Sequence, residues 1–461
     1  MGSTGHRIQF GLISPYTGSN LGDATILEGL IRHLQQRVPE AAIVGVTLDP
    51  RRFSSIHGWP SVNLTLTPRA FYYSPPANGG AAGSGQSALE QSESPRAVSV
   101  GARIKATIKR SSVLRSAWNL ARAARRALHV SRHELTHLRQ AIGTVRASTS
   151  LIVAGGGQFD EEFGGPWGHP YSLAKWSKLA RLFNRQFFVA GVGVCELDSN
   201  RSLSLVRTVL RNAASVTVRD EGSLLLTRKI SPTSESRMTA DLAFLMASGW
   251  KRSWPSPTPA ALTIGVSPIA FAREGSWPTA NPALFDRYQA ELIEFVRTCV
   301  ARGHQVRLFC TDEPDRRVAN EILKQTGSAS SSQPAPVQLV PMLSVDEHLE
   351  FMRQLDIVIA SRLHGVILAH LASTPTIAVS YSRKVRAHME SIHQLEYCCS
   401  VEDFTHSGLT KLVADLATHP NDVAEHLRNE CNQRKSAASA DIDNLLTLAH
   451  IPMDDSCAEP A

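Results

Sequence analysis

Residues Ile357 to Lys384, IVIASRLHGVILAHLASTPTIAVSYSRK, leave this chain few ways to fold. Ile357 to Ala360 is a short apolar run of β type, and it breaks at Ser361-Arg362-Leu363-His364-Gly365. An apolar helical stretch follows from Val366 to Ala372. Ser373-Thr374-Pro375 then turns the chain into a second run, Thr376 to Ser380, which leads to Tyr381, Arg383 and Lys384. The unit reads strand–turn–helix–strand, the grammar of a parallel sheet. Its turn falls at the carboxyl end of a strand and the amino end of a helix, where open α/β sheets bind ligands. Free backbone N–H groups and the positive end of the helix dipole favour an anion there. Arg362 adds a planar fork for carboxylate or phosphate, and His364 a group that gains or loses a proton near neutrality. From this stretch alone, a helix cap with a packed histidine reads equally well.

The same grammar recurs along the chain. Arg7 to Ser14 reads as a first buried strand, and a helix spans Ala24 to about Arg37 with Ile26, Leu27, Leu30, Ile31 and Leu34 on one face. Ala41 to Leu48 gives the next strand, so the first 50 residues form a βαβ unit. Between strand and helix, Gly18 and Gly22 permit tight turning, and Asp23 lies at the helix start, as a cap or as a sugar contact. Neither GxGxxG nor a P-loop lysine is present, so no dinucleotide or ATP site is indicated. Ser150 to Ala154 ends in Gly155-Gly156-Gly157-Gln158, which points to close approach by a ligand or a helix. A long loop through Asp160, Glu161, Glu162 and Trp167 to His169 follows. Arg219 closes the run Ser215 to Val218, at a strand's carboxyl end like Arg362. A second α/β half begins at Leu262.

With 461 residues the chain is too long for one ordinary core, and 43% hydrophobic content with 30 glycines fits a globular protein. No run reaches the roughly 18 to 20 apolar residues that span a bilayer, and the amino terminus carries no secretory pattern. Seven cysteines without CxxC spacing read as reduced thiols, so a cytoplasmic location is expected and no metal. Residues 101 to 146 hold eleven Lys or Arg and one acid, a net +10 against +7 for the whole chain. Val113, Leu114, Ala117, Trp118, Ala121, Ala124 and Leu128 recur there at helical spacing. Such a cationic amphipathic helix suits peripheral contact with an anionic membrane, at the inner face, or a helix packed on the body with a solvated basic face. Nucleic acid is not expected, because aromatic residues are not interleaved and no nucleic-acid motif occurs.

The motifs Asn20-Leu21-Gly22-Asp23, Gly155-Gly156-Gly157, Val218-Arg219-Asp220, Ala240-Asp241, Ser361-Arg362-Leu363-His364-Gly365 and Pro375 through Tyr381 to Lys384 occur in that order. Together they resemble the polysaccharide pyruvyl transferase family, over roughly residues 8 to 74 and 150 to 400. The resemblance implies two Rossmann-like halves facing a cleft, GT-B-like, with the basic helical insert in the first half. It also implies transfer of a pyruvyl group from phosphoenolpyruvate, as co-substrate, onto two hydroxyls of a saccharide as a ketal, without metal or further cofactor. The donor carries a carboxylate and a phosphate; Arg219, Arg362, Lys384 and the helix after His364 suit both, with Leu363 placed among them by the resemblance. Protonating the vinyl carbon needs a general acid, for which His364 is the candidate; the resemblance points to His169 as a second acid/base. The acceptor, free or lipid-linked, is expected near Asn20, Asp23 and Gln158.

The expected layout is an amino-terminal domain of 1–74 with 147–249 and an insert of 75–146, flexible over 75–95. A linker of 250–260, a donor domain of 261–400, and surface helices with a polar tail over 401–461 complete it. Two other readings share the fold: a GT-B nucleotide-sugar glycosyltransferase, and a catalytically silent membrane-associated scaffold.

Overall fold

A computed structural model of the protein describes residues 8–65, 134–161, 164–251, 253–254, 261–273, 280–327 and 335–454. The chain divides into two compact units, one of Met1–Pro75 with Gly143–Ala461 and one of Pro76–Ile142. The flexible stretch expected over 75–95 and the amphipathic helix expected over 113–128 lie outside the described residues. Among the described residues, no helix is long and apolar enough to cross a membrane.

The first unit contains two parallel sheets. In the amino-terminal half, β1 (Gln9–Ile13), β2 (Ala42–Thr47), β3 (Ser61–Asn63), β4 (Ser150–Ala154), β5 (Gln186–Val192), β6 (Ser215–Val218) and β7 (Ser236–Met238) align in the order β3-β2-β1-β4-β5-β6-β7. In the carboxyl-terminal half, β8 (Thr263–Ser267), β9 (Gln305–Leu308), β10 (Val337–Leu339), β11 (Ile357–Ala360), β12 (Thr376–Ser380) and β13 (Cys398–Ser400) take the order β10-β9-β8-β11-β12-β13. Every pairing is parallel, and central strands such as β4, β6 and β11 are buried along their whole length. That is why they read as unbroken apolar runs rather than as alternation.

Each order reverses at a switch point, between β1 and β4 in one half and between β8 and β11 in the other. There neighbouring crossovers leave on opposite faces and open a crevice at the strands' carboxyl ends. The loops that reach these crevices lead into α1 (Leu21–Arg37), α3 (His169–Leu182) and α9 (Leu363–Leu371). They carry most of the residues singled out by sequence. Between α1 and α3, α2 (Pro50–His57) and β3 lie where the sequence shows only a polar connection; an eight-residue helix and a three-residue edge strand bury too little to leave a pattern. Further helices are α4 (Asn200–Asn212), α5 (Glu221–Ile230), α6 (Pro282–Ala301), α7 (Arg316–Thr326), α8 (Val345–Arg353), α10 (Arg383–Ser391), α11 (His406–Leu416) and α12 (Pro420–Leu448).

The halves meet directly. Leu21 N–H donates to Thr311 O at 2.8 Å and Glu313 N–H to Ser19 O at 3.3 Å, so Asn20 and Asp312 pair like residues of two antiparallel strands. The expectation of surface helices after residue 400 needs correction at α12. Val423, Ala424, Leu427, Cys431, Ala438, Ile442, Leu445 and Leu446 are buried along its 29 residues. Its carboxyl-terminal part is tied to the amino-terminal half: Asp441 accepts from Thr217 Oγ1 at 2.7 Å, and Asp443 accepts from Arg37 Nε at 2.8 Å and bonds His33 Nε2 at 2.9 Å. The helix therefore straps the two sheets together, although its thinly spaced apolar positions read as a solvated surface.

Candidate active site

The first turn of α1 and the first turn of α9 are pressed together. Asn20 caps α1: its Oδ1 accepts from Gly22 N at 2.8 Å and Asp23 N at 3.4 Å. The cap considered for Asp23 thus belongs to Asn20. Capping leaves Asp23 free to turn into the crevice. Gly22 lies under the His364 ring so closely that a Cβ there would stand 2.0 Å from Nδ1. The glycine is present because the imidazole occupies the space a side chain would need.

Three further glycines at strand ends stand beside charged groups, and at Gly193 a side chain would collide. A Cβ at Gly156 would stand 3.4 Å from Asp23 Oδ1, one at Gly157 3.5 Å from Lys384 Nζ, and one at Gly193 2.8 Å from Arg219 Nη2. Gly155 and Gly156 also have φ of 48° and 71°, a left-handed region that favours glycine. The chain folds this way locally because β4 must end, reverse and leave room for Asp23 and Lys384 within a few residues. Gln158 completes the turn from behind. It is fully buried, and its Nε2 donates to Ala154 O at 3.3 Å, Gly155 O at 2.9 Å and Ile13 O at 3.3 Å. Its Nε2 thereby holds the shape of the loop, and its side chain is enclosed by protein.

Both arginines converge on the crevice, each clamped by carboxylates. Arg219 Nη1 donates to Asp241 Oδ2 at 2.7 Å, and Asp220 lies 3.7 Å from its Nε. Burial opposes the charge on Arg219, but Asp241 and Asp220 outweigh it and hold the guanidinium above its ordinary range. Arg362 engages Asp315 with Nε and with Nη2, the latter at 3.0 Å, and reaches Asp312 Oδ2 at 3.2 Å. Burial again opposes the charge and the two carboxylates override it. Asp315 is fully buried and also accepts from Ala270 N at 2.8 Å. Sequence reading did not join the arginines to these counter-ions, because Asp241, Asp312 and Asp315 lie elsewhere in the chain.

Lys384 is held differently. It opens α10, keeps access to solvent, and extends its ammonium toward Cys195, Asp160 and Gly157 of the opposite half. Burial would lower its basicity; the Cys195 sulfur beside it outweighs that and leaves it raised.

His364 and Asp23 divide the protonation chemistry unexpectedly. Desolvation pushes His364 down to about 4, with Asp241 pulling the other way and Arg219, Arg362 and Lys384 adding to the fall. The imidazole is therefore neutral at pH 7, and its buried Nε2 has no protein partner among the described residues. Asp23 moves up to about 7, first through burial and then through Asp312, against His169 and Arg219. Asp312 likewise rises to about 6, by burial, although Arg362 opposes it. His169 is buried at the start of α3, 3.7 Å from Asp160 Oδ1 through Nδ1, and faces Asp23. No side chain caps α9 or α10, so the first-turn N–H groups beside Arg362, Leu363, His364 and Lys384 are open to an anion.

Two facing Rossmann-like halves with charged groups at both switch points define an α/β enzyme of GT-B form. The chain belongs to the polysaccharide pyruvyl transferase family, whose model matches residues 20–383. The fold is shared with HepE from Anabaena, solved in complex with UDP and glucose (TM-score 0.52, 11% identity, covering 96% of this chain and 100% of that one). It is shared also with a glycosyltransferase from Rickettsia africae (TM-score 0.53, 10% identity, 96% and 98% covered). A UDP-GlcNAc 2-epimerase from Neisseria meningitidis, bound to UDP-GlcNAc, is similar too (TM-score 0.52, 9% identity, 95% and 100% covered). At these identities the likeness is one of fold. No curated protein matches the chain in sequence.

Proposed function

We propose that this enzyme moves the pyruvyl group of phosphoenolpyruvate onto two hydroxyls of one saccharide residue, forming a cyclic ketal in the synthesis of an exopolysaccharide or cell-surface glycan. The observation that carries this reading is the convergence of Arg219, Arg362, Lys384 and the Nε2 of His364 on two uncapped helix starts. α9 and α10 follow the neighbouring strands β11 and β12, so the two N-termini stand side by side. Phosphoenolpyruvate is a small ester with an anion at each end, and one terminus suits its phosphate while the other suits its carboxylate. Lys384 meets the donor as a mobile charge, and the clamped arginines as fixed dipolar walls. His364 enters neutral and bonds the donor through Nε2, and a dianion beside it draws its basicity up. His169 and Asp23 line the amino-terminal wall, where the acceptor hydroxyls enter.

The test supplies phosphoenolpyruvate, or separately a nucleotide sugar, with a panel of saccharides, and follows the released group. Inorganic phosphate with a ketal-bearing product supports the reading, together with loss of that release in His364→Ala. Release of a nucleoside diphosphate, and none of phosphate, overturns it in favour of glycosyl transfer.

A further inference from the structure

Ketal formation needs a proton for the methylene carbon, and before the donor binds His364 is a neutral imidazole at pH 7, without the acidic second proton. A carboxyl raised to about 7 follows the residue that this ring rests on. Asp23 lies in the first turn of α1, one residue beyond the Gly22 on which His364 rests, and its Oδ1 lies beside Gly156, 3.4 Å from where a Cβ would stand. It is partly open to the crevice, not sealed behind it. Asp312 comes from the opposite half and is fixed there by the pairing with Asn20 and by Arg362. The groups facing Asp23 are Asp312, His169, Arg219 and Asp241, with His364 alongside. Burial disfavours the charge on Asp23 first, and the Asp312 carboxylate from the opposite half adds to that, so Asp23 keeps its proton to a higher pH than an exposed carboxyl would.

We propose that Asp23 carries the proton of the reaction, with Asp312 as the positioning carboxylate that keeps it loaded; this rests on the function proposed above. Protonated Asp23 gives its proton to the methylene carbon of the enol, so the C=C bond becomes a methyl group and C2 an oxocarbenium-like centre. The first saccharide hydroxyl forms its C–O bond to C2 and returns its proton to the Asp23 carboxylate. The second hydroxyl forms a C–O bond to C2 as the C2–O bond to phosphate breaks, and its proton leaves with the phosphate. Donor trianion and diol become ketal carboxylate and hydrogen phosphate, and Asp23 ends as it began. Its place on the acceptor wall suits both deliveries, since a proton donor and a hydroxyl must approach C2 and its methylene from the same side.

The experiment compares the full-length wild type with Asp23→Asn and Asp312→Asn, using phosphoenolpyruvate and an acceptor that the wild type turns over. Rates are read by phosphate release, donor binding by calorimetry, and folding by thermal denaturation at pH 8. Asp23→Asn should bind the donor and melt no lower than wild type, because a desolvated charge has been replaced by a neutral isostere. It should lose at least a hundredfold in kcat. Asp312→Asn should move the alkaline limb of the kcat/KM profile to lower pH, because the carboxylate that raises Asp23 is gone. In deuterium oxide the wild-type product should carry one deuterium in its methyl group. An Asp23→Asn enzyme within tenfold of wild type, or an unmoved limb in Asp312→Asn, overturns the assignment. Failure of the wild type to release phosphate with any acceptor sinks the functional reading instead, so the two failures are told apart.

Discussion

Replacing Gly22 by alanine asks whether the contact between the two helix starts matters for chemistry. The backbone at Gly22 is helical, so alanine is conformationally allowed and gains about 0.8–1 kcal/mol in helix propensity. The obstacle is the His364 ring, whose Nδ1 would lie 2.0 Å and Cγ 2.2 Å from the new Cβ. Restoring an ordinary contact of 3.4 Å moves the ring, or α1 with it, by at least 1.4 Å. Overpacking of this kind costs about 1–3 kcal/mol, so the net loss of stability is only about 0–2 kcal/mol. Catalysis tolerates much less, since a misplacement of about 1 Å in a reacting constellation costs on the order of a hundredfold. Gly22→Ala should thus remain folded under urea denaturation while kcat/KM for phosphate release falls about a hundredfold. Adding His364→Ala should restore the lost stability, because the clash needs both side chains, and the double-mutant cycle should show that coupling. A folded Gly22→Ala enzyme with kcat/KM within threefold of wild type would refute the argument that His364 works at this position.

The other expectations concern charge. Arg362→Ala strands the fully buried Asp315, and urea denaturation should show a loss of about 3–5 kcal/mol, whereas Arg362→Ala at full stability would mean the clamp is not a buried ion pair. Lys384→Met should raise the KM for phosphoenolpyruvate about tenfold to a hundredfold, the loss of one charge-assisted bond, with an unchanged melting temperature; an unchanged KM removes Lys384 from the donor site. Burial lowers His348 to about 4, beside Phe309 and Phe351. Its folded state refuses a proton that the unfolded state accepts, so its contribution is whole above about pH 6.5 and is lost as pH falls toward 4. Isosteric replacement in His348→Phe should flatten the stability–pH curve in that window by about 3 kcal/mol; a curve as steep as the wild type's counts against it.

Much of the fold was legible because parallel sheets buried on both faces write themselves as apolar runs. Ser150–Ala154, Ser215–Val218, Ile357–Ala360 and Thr376–Ser380 are strands over the very residues that the pattern marks. The positions of Arg219, Arg362, His364 and Lys384 follow from the same pattern, since each sits at a strand's carboxyl end or a helix start. Asn20 and Gln158 looked the same in sequence, but a side-chain amide serves a cap or a carbonyl as readily as a sugar, and hydrogen-bond partners decide which. The strapping role of α12 was not legible, because Asp441 and Asp443 find Thr217, Arg37 and His33 only after the sheets have formed.

The sequence by itself determined the alternation of strands and helices, the positions where each strand must give way to a turn, and the family. Tertiary structure alone decided the protonation states. Whether Asp23 keeps a proton or His364 loses one depends on how much water is excluded and which charges face it from the other half. Both are properties of distances across a cleft, and residues some 340 positions apart in the chain do not state their distance.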